Sequence, residues 1–303
     1  VDKLPDFVII GAMKCATTTL HDQLTRQPGV FMSTPKEPNF FSDDANWKRG
    51  IGWYASLFAD APAGSVRGES STHYTKLPEH PRTVARFAEH LPDAKLIYVM
   101  RDPVARAVSQ YIHEWSEGRI SEPIDEAIER YARLMDYSRY AMQLGPWMDR
   151  FGPGRVLPVF FERMTASPQE EFGRVCRFIG IDSGRWVEGT APSNVSSRRM
   201  RRSPVRDAIL DIGVVRTLRR TLLPERLRER IKSRWRMSER PELSPERLRW
   251  VRDRLDPDIE RLGGMLGLAL DCATFRDAVL APGRSPEWSP GSSGAGAREV
   301  AHD

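Results

Sequence analysis

The sequence predicts an α/β protein: a P-loop-like central parallel sheet flanked by helices, followed by a basic helical segment. Three observations carry this prediction. Strand-like and helix-like segments alternate through the first 180 residues, the pattern of βαβ units. The strand candidates are unbroken apolar runs rather than alternating ones, as in strands covered on both faces. At 303 residues, 40% hydrophobic and 29% charged, the chain can bury a large core, in one big α/β domain or two small ones. No apolar run approaches the roughly 20 residues of a bilayer span, which excludes a helical membrane protein.

Phe7-Val8-Ile9-Ile10 is the first buried strand, and a helical pattern follows from Thr18 to about Gln27. A further strand is expected to end at Glu69-Ser70. Ala94 to Met100 is the next buried strand; Asp102-Pro103 then supplies an N-cap and a proline at the first helical position, opening a helix to about Glu117. Arg155 to Phe161 reads as a strand, and Pro158 inside it predicts an edge position or a bulge. Ser167-Pro168 opens a helix that ends near Gly180. Ser244-Pro245-Glu246 starts another, with Leu248, Val251, Leu255, Ile259 and Leu262 on one apolar stripe. Residues 1–281 are expected to form the domain. From Pro282 to 303 the Gly, Pro and Ser content predicts a disordered tail.

The net charge of +5 is local. Residues 198–240 hold fifteen Lys/Arg against five Asp/Glu, so this window carries +10 and the remainder −5. Apolar residues recur within it at three- and four-residue steps, which fits two amphipathic helices broken at Pro224. Such a segment can pack on the body, cover an anion-holding cleft or make peripheral contact with an anionic surface. Cys15, Cys176 and Cys272 are odd in number and far apart, so they read as reduced thiols. With the first strand beginning at Phe7 there is little room for a leader, and a cytoplasmic location is expected.

The loop Gly11-Ala12-Met13-Lys14-Cys15-Ala16-Thr17-Thr18-Thr19 joins a buried strand to a helix, where backbone N–H groups and the helix dipole favour an anion. It is not a Walker A motif, because Lys14 comes three positions after Gly11 and precedes the hydroxyl run. Arg101 ends a buried strand at the carboxyl edge of the sheet, where open α/β sheets bind ligands. No His, Cys or carboxylate cluster has metal-ligand spacing, so no metal is expected.

FVIIGAMKCATTTL, KEPNFF at 36–41, GIGWY at 50–54, GESSTHY at 68–74 and RDPVARAVSQY at 101–111 together resemble the sulfotransferases that use 3′-phosphoadenosine 5′-phosphosulfate (PAPS). The similarity is strongest to the branch of heparan sulfate N- and 3-O-sulfotransferases and their bacterial relatives. It spans roughly residues 5 to 200, and the 256–268 helix also looks like that family's C-terminal element. Only seven of the 46 basic residues are lysine, an arginine bias that fits a GC-rich bacterial coding sequence.

The resemblance implies that Lys14, Cys15, Ala16, Thr17, Thr18 and Thr19 surround the 5′-phosphosulfate, Lys14 neutralising charge on the bridging oxygen as the sulfuryl group leaves. It implies that Arg101 and Ser109 take the 3′-phosphate and that Ser197 and Arg198, in a loop after Asn194, touch the donor. Ala16 stands where many relatives carry Gly. The same resemblance makes Glu37 the general base toward an acceptor hydroxyl or amine. His73 is the rival base, since a His near pKa 6.5 could serve from the same cleft. The acceptor is expected to be a carbohydrate, a glycolipid or a small alcohol, with no nucleic-acid partner. Two alternatives remain at this level: a P-loop-like small-molecule kinase, and a non-catalytic binder of polyanions through 198–240.

Overall fold

The chain's computed structural model describes residues 3–189, 240–283 and 285–290. The expected helices of 198–240, with Ser197 and Arg198, lie outside the described residues. The core is a parallel sheet of β1 (Phe7–Gly11), β2 (Val30–Met32), β3 (Val66–Ser70), β4 (Lys95–Met100) and β5 (Val156–Phe160) in the order β2-β3-β1-β4-β5. Every residue of β1 is buried, which is why its sequence shows no alternation. β1 lies between β3 and β4, in register Phe7 to Gly68 on one side and Phe7 to Lys95 on the other. The carboxyl ends of β3, β1 and β4 are therefore neighbours, and the loops leaving them converge on one edge of the sheet.

The helices are α1 (Thr17–Thr25), α2 (Asp44–Trp47), α3 (Gly50–Ser56), α4 (Thr83–His90), α5 (Pro103–Ser116), α6 (Ile124–Arg130), α7 (Arg133–Asp136), α8 (Tyr140–Phe151), α9 (Phe161–Ala166), α10 (Pro168–Ile179), α11 (Pro245–Leu266) and α12 (Phe275–Leu280). Local chemistry sets several boundaries. Asp102 Oδ1 accepts the Ala105 N–H at 2.6 Å and Pro103 opens α5. Ser244 Oγ accepts the Arg247 N–H at 3.2 Å at the start of α11. α10 ends at Gly180 in a left-handed conformation. The α11 stripe does what its spacing predicts, with Val251, Leu255, Ile259 and Leu262 wholly buried. Among the described residues β5 pairs only with β4, so Pro158 occupies an edge strand, as its missing N–H requires.

The expected disordered tail is corrected over its first residues. Trp288 Nε1 donates to the Val156 carbonyl at 2.6 Å, Ser289 N to the Met265 carbonyl at 2.8 Å and Ser285 Oγ to Glu171 at 3.3 Å. Residues 285–290 thus cover the start of the edge strand β5. Composition averaged over the whole tail hid the one large aromatic that docks it.

Candidate active site

At the end of β1 the chain turns where no side chain fits. A Cβ on Gly11 would run into the Thr75 hydroxyl and lie 2.9 Å from the Tyr98 ring. Lys14 and Ala16 take left-handed backbone angles, φ 70° and 66°. Ala16 is the N-cap of α1, yet no side chain caps this helix and its first turn holds no acidic residue. The N–H groups of Thr17, Thr18 and Thr19 are the first donors of the helix and have no carbonyl one turn earlier to bond. With the positive end of the helix dipole behind them, they form an anion cradle.

Cys15 departs from the expectation that it faces the donor. Its side chain is fully buried, its Sγ lies 3.8 Å from the Tyr140 hydroxyl, and its N–H turns back to the Ala12 carbonyl at 3.3 Å. Burial pushes its thiol up to about 11, so it stays protonated. Cys15 is an internal anchor of the loop.

Arg101 reaches the same loop from β4. Its Nη1 donates to the Lys14 carbonyl at 3.3 Å and its guanidinium lies 4.4 Å from the centroid of the Phe161 ring. Asp102 and Glu162 both feel its charge, but Asp102 caps α5 and Glu162 Oε1 accepts the Asp102 N–H at 2.9 Å. Ser109 lies on α5 and is largely buried.

On the other side of β1, the segment 36–41 docks on the end of β3. The Glu37 N–H donates to the Ser70 carbonyl at 3.0 Å, and the Asn39 N–H to Ser71 Oγ at 3.1 Å. Phe40 and Phe41 lock the segment down: Phe40 stacks on Tyr54 at 4.8 Å and Phe41 meets Tyr74 edge-on at 5.7 Å. Both Glu37 and Asn39 have left-handed φ, 59° and 51°. Glu37 Oε1 accepts from Lys36 Nζ at 3.0 Å and Thr72 Oγ1 at 3.2 Å. Burial opposes its ionisation, but Lys36, Lys76 and His73 outweigh burial and hold its carboxyl below the usual range. Glu37 is a carboxylate at neutral pH.

His73 stands in the turn Thr72–Thr75 and stacks on His80 with centroids 5.1 Å apart. Burial, then the charges of Lys76 and His80, lower it to about 4, so it is neutral at pH 7. His21 of α1 is likewise lowered to about 4, by burial and then by the charge of Lys36. Two further buried titratable residues feel the charge of Glu37. Lys76 is only 8% exposed, its ammonium 5.5 Å from the Tyr137 ring centroid, and burial pushes it down to about 8 against the opposing pull of Glu37. Glu69 is wholly buried, and burial raises it to about 7. Among the described residues no group of three or more His, Cys, Asp or Glu is placed to hold a metal ion, and no helix is long and apolar enough to cross a membrane. A cavity of about 770 Å3 lined by Val156, Phe178 and Trp288 lies at the start of β5, the sheet edge opposite this chemistry.

A family model described as the sulfotransferase family matches residues 51–185. Mouse heparan sulfate glucosamine 3-O-sulfotransferase 3B1 is 35% identical over 189 residues, which cover 59% of this chain and 47% of that protein. The chain is thus similar to sulfotransferases over residues 51–185 and to this curated relative over 59% of its length. Human bifunctional heparan sulfate N-deacetylase/N-sulfotransferase 2 is 26% identical over 226 residues, 62% of this chain and 25% of that one. The chain spans about half or less of the length of these curated relatives. The crystal structure of a sulfotransferase from Alicyclobacillus acidocaldarius shares its fold, with TM-score 0.63 and 23% identity over 88% of this chain and 97% of that one.

Proposed function

We propose that the chain moves the sulfuryl group of PAPS to a hydroxyl or amine of a carbohydrate, glycolipid or small alcohol. Residues 1–281 would form the catalytic domain. The observation that carries this reading is the convergence, on three adjacent strand ends, of an uncapped helix N-terminus, a guanidinium and a carboxylate: α1 after β1, Arg101 after β4 and Glu37 bonded to the end of β3. The donor would supply a sulfuryl group already bonded to a good leaving phosphate.

The N–H groups of Thr17, Thr18 and Thr19 and the Lys14 ammonium would bind the 5′ end, where negative charge grows as the old S–O bond breaks. Arg101, with Ser109 nearby on α5, would take the 3′-phosphate, for which a planar guanidinium is the better match. Glu37 would accept the proton of the acceptor oxygen or nitrogen as the new bond to sulfur forms. Two features support Glu37 over His73 in this role. Its carboxylate is ionised at neutral pH, and the strand bond, the Thr72 hydroxyl and the aromatic cluster hold it in one place.

The test is a thermal shift with adenosine 3′,5′-bisphosphate and with ATP-magnesium, followed by a labelled-donor screen against sugars, glycolipids and small alcohols. At a hundredfold excess over Kd a ligand stabilises by about 2.7 kcal/mol, which the bisphosphate is expected to deliver and ATP-magnesium is not. Stabilisation by ATP-magnesium alone would replace this reading with a kinase. Polyanion binding that survives Lys14→Ala and Glu37→Ala, with no sulfated product, would replace it with a binding protein.

A further inference from the structure

The ladder of β4 with β5 ends at Met100 paired with Phe160, so the backbone groups of Arg101 lie beyond any neighbouring strand and need other partners. One side chain, 39 residues on, supplies both. The Arg101 N–H donates to the Tyr140 hydroxyl at 3.2 Å, and that hydroxyl donates to the Arg101 carbonyl at 2.7 Å. The same oxygen is 3.8 Å from Cys15 Sγ at the centre of the donor loop, and Arg101 Nη1 closes the circuit at the Lys14 carbonyl.

Tyr140 is itself held firmly. It is fully buried, with its ring against Tyr98 at 6.0 Å and Phe275 at 6.3 Å. It begins α8, whose next two N–H groups, of Ala141 and Met142, each donate to the buried Asp258 carboxylate of α11 at 2.9 Å. The phenol is thus fixed from the C-terminal helix.

We infer that Tyr140 is a positioning residue for the nucleotide: its hydroxyl sets the separation between the loop that takes the 5′ end and the guanidinium that takes the 3′-phosphate. This rests on the donor assignment proposed above. Phenylalanine at this position would keep the ring packing but leave the Arg101 N–H and C=O without their partner. The guanidinium then loses its fixed reach, and a bidentate contact to phosphate depends on that reach. The loss falls on the 3′-phosphate and spares the 5′ cradle.

The experiment is titration calorimetry of wild type and Tyr140→Phe with adenosine 3′,5′-bisphosphate and with adenosine 5′-monophosphate. The expected result is that Tyr140→Phe lowers the preference for the bisphosphate by about tenfold, the scale of one lost hydrogen bond, with monophosphate affinity unchanged. Leu262→Ala, a substitution of a wholly buried α11 residue that leaves the Tyr140 hydroxyl in place, separates positioning from general softening; it should lower the melting temperature and keep the preference. An unchanged preference in Tyr140→Phe, an equal weakening of both nucleotides, or the same loss in Leu262→Ala would overturn the inference. A wild type that does not distinguish the two nucleotides overturns the donor assignment and this inference with it.

Discussion

Glu37→Gln isolates the proposed proton abstraction from the residue's structural contacts. A glutamine oxygen can still accept from Lys36 Nζ and Thr72 Oγ1, and the bond from residue 37 N–H to the Ser70 carbonyl is main chain. The 36–41 segment should therefore stay docked, held as well by Phe40 on Tyr54. What disappears is the acceptor of the proton. A positioned general base contributes about 10²–10⁴-fold, or about 3–5 kcal/mol of barrier at 1.36 kcal/mol per tenfold. The expected outcome is a fall in kcat of that size with donor affinity within twofold of wild type. Single-turnover transfer from labelled donor, run beside bisphosphate titration, measures both. A pH profile alone does not separate the candidates, because Glu37 lies below the usual carboxylate range and His73 near 4. Either base would be lost only as pH falls through the acid region. The paired variant His73→Asn decides: it should cost less than Glu37→Gln, and the reverse order would refute the assignment of Glu37.

Three further outcomes follow from the geometry. Glu69 is raised to about 7 by burial, so from the unfolded carboxylate range up to about 7 the folded state binds the extra proton and stability falls as pH rises; Glu69→Gln should flatten that slope in melting curves recorded from pH 5 to 8. Asp258→Ala removes the acceptor of two buried N–H groups at the start of α8, and a urea titration should show a loss of about 1–3 kcal/mol. Gly11→Ala drives a methyl into the Thr75 hydroxyl, which donates to the Ile10 carbonyl at 2.8 Å, and into the Tyr98 ring; overpacking of this kind costs about 1–3 kcal/mol and should abolish bisphosphate binding even where the protein still folds.

The segments that meet at the candidate site were legible because their signals are short. The Lys14 loop is a contiguous stretch between a buried strand and a helix, and Arg101 is marked by the strand end before Asp102-Pro103. Glu37 is marked by its place ahead of two aromatics. Cys15 was misread for a local reason as well: adjacent residues of a loop point in different directions, and spacing does not say which one turns inward to Tyr140. Lys76 follows the GESSTHY motif and Glu69 lies inside it, yet neither shift shows in the sequence, because a depressed lysine and a raised carboxyl are products of burial among residues distant in sequence.

Periodicity, proline placement and capping residues, read along the chain, were sufficient to locate the strands β1, β4 and β5 to within a residue and the helices α1, α5 and α10, but they missed α9 at Phe161–Ala166 and left Pro158 at an edge or a bulge until the strand order decided for the edge. The elements located in this way depend on backbone preferences and on neighbours a few residues away. Only the tertiary structure decided that β1 lies between β3 and β4, which sets Glu37 and Arg101 on either side of the Lys14 loop, and that Tyr140, held by Asp258, ties that loop to Arg101. Those contacts join residues 30 to 120 positions apart, and their free energy exists only once the core has closed around them.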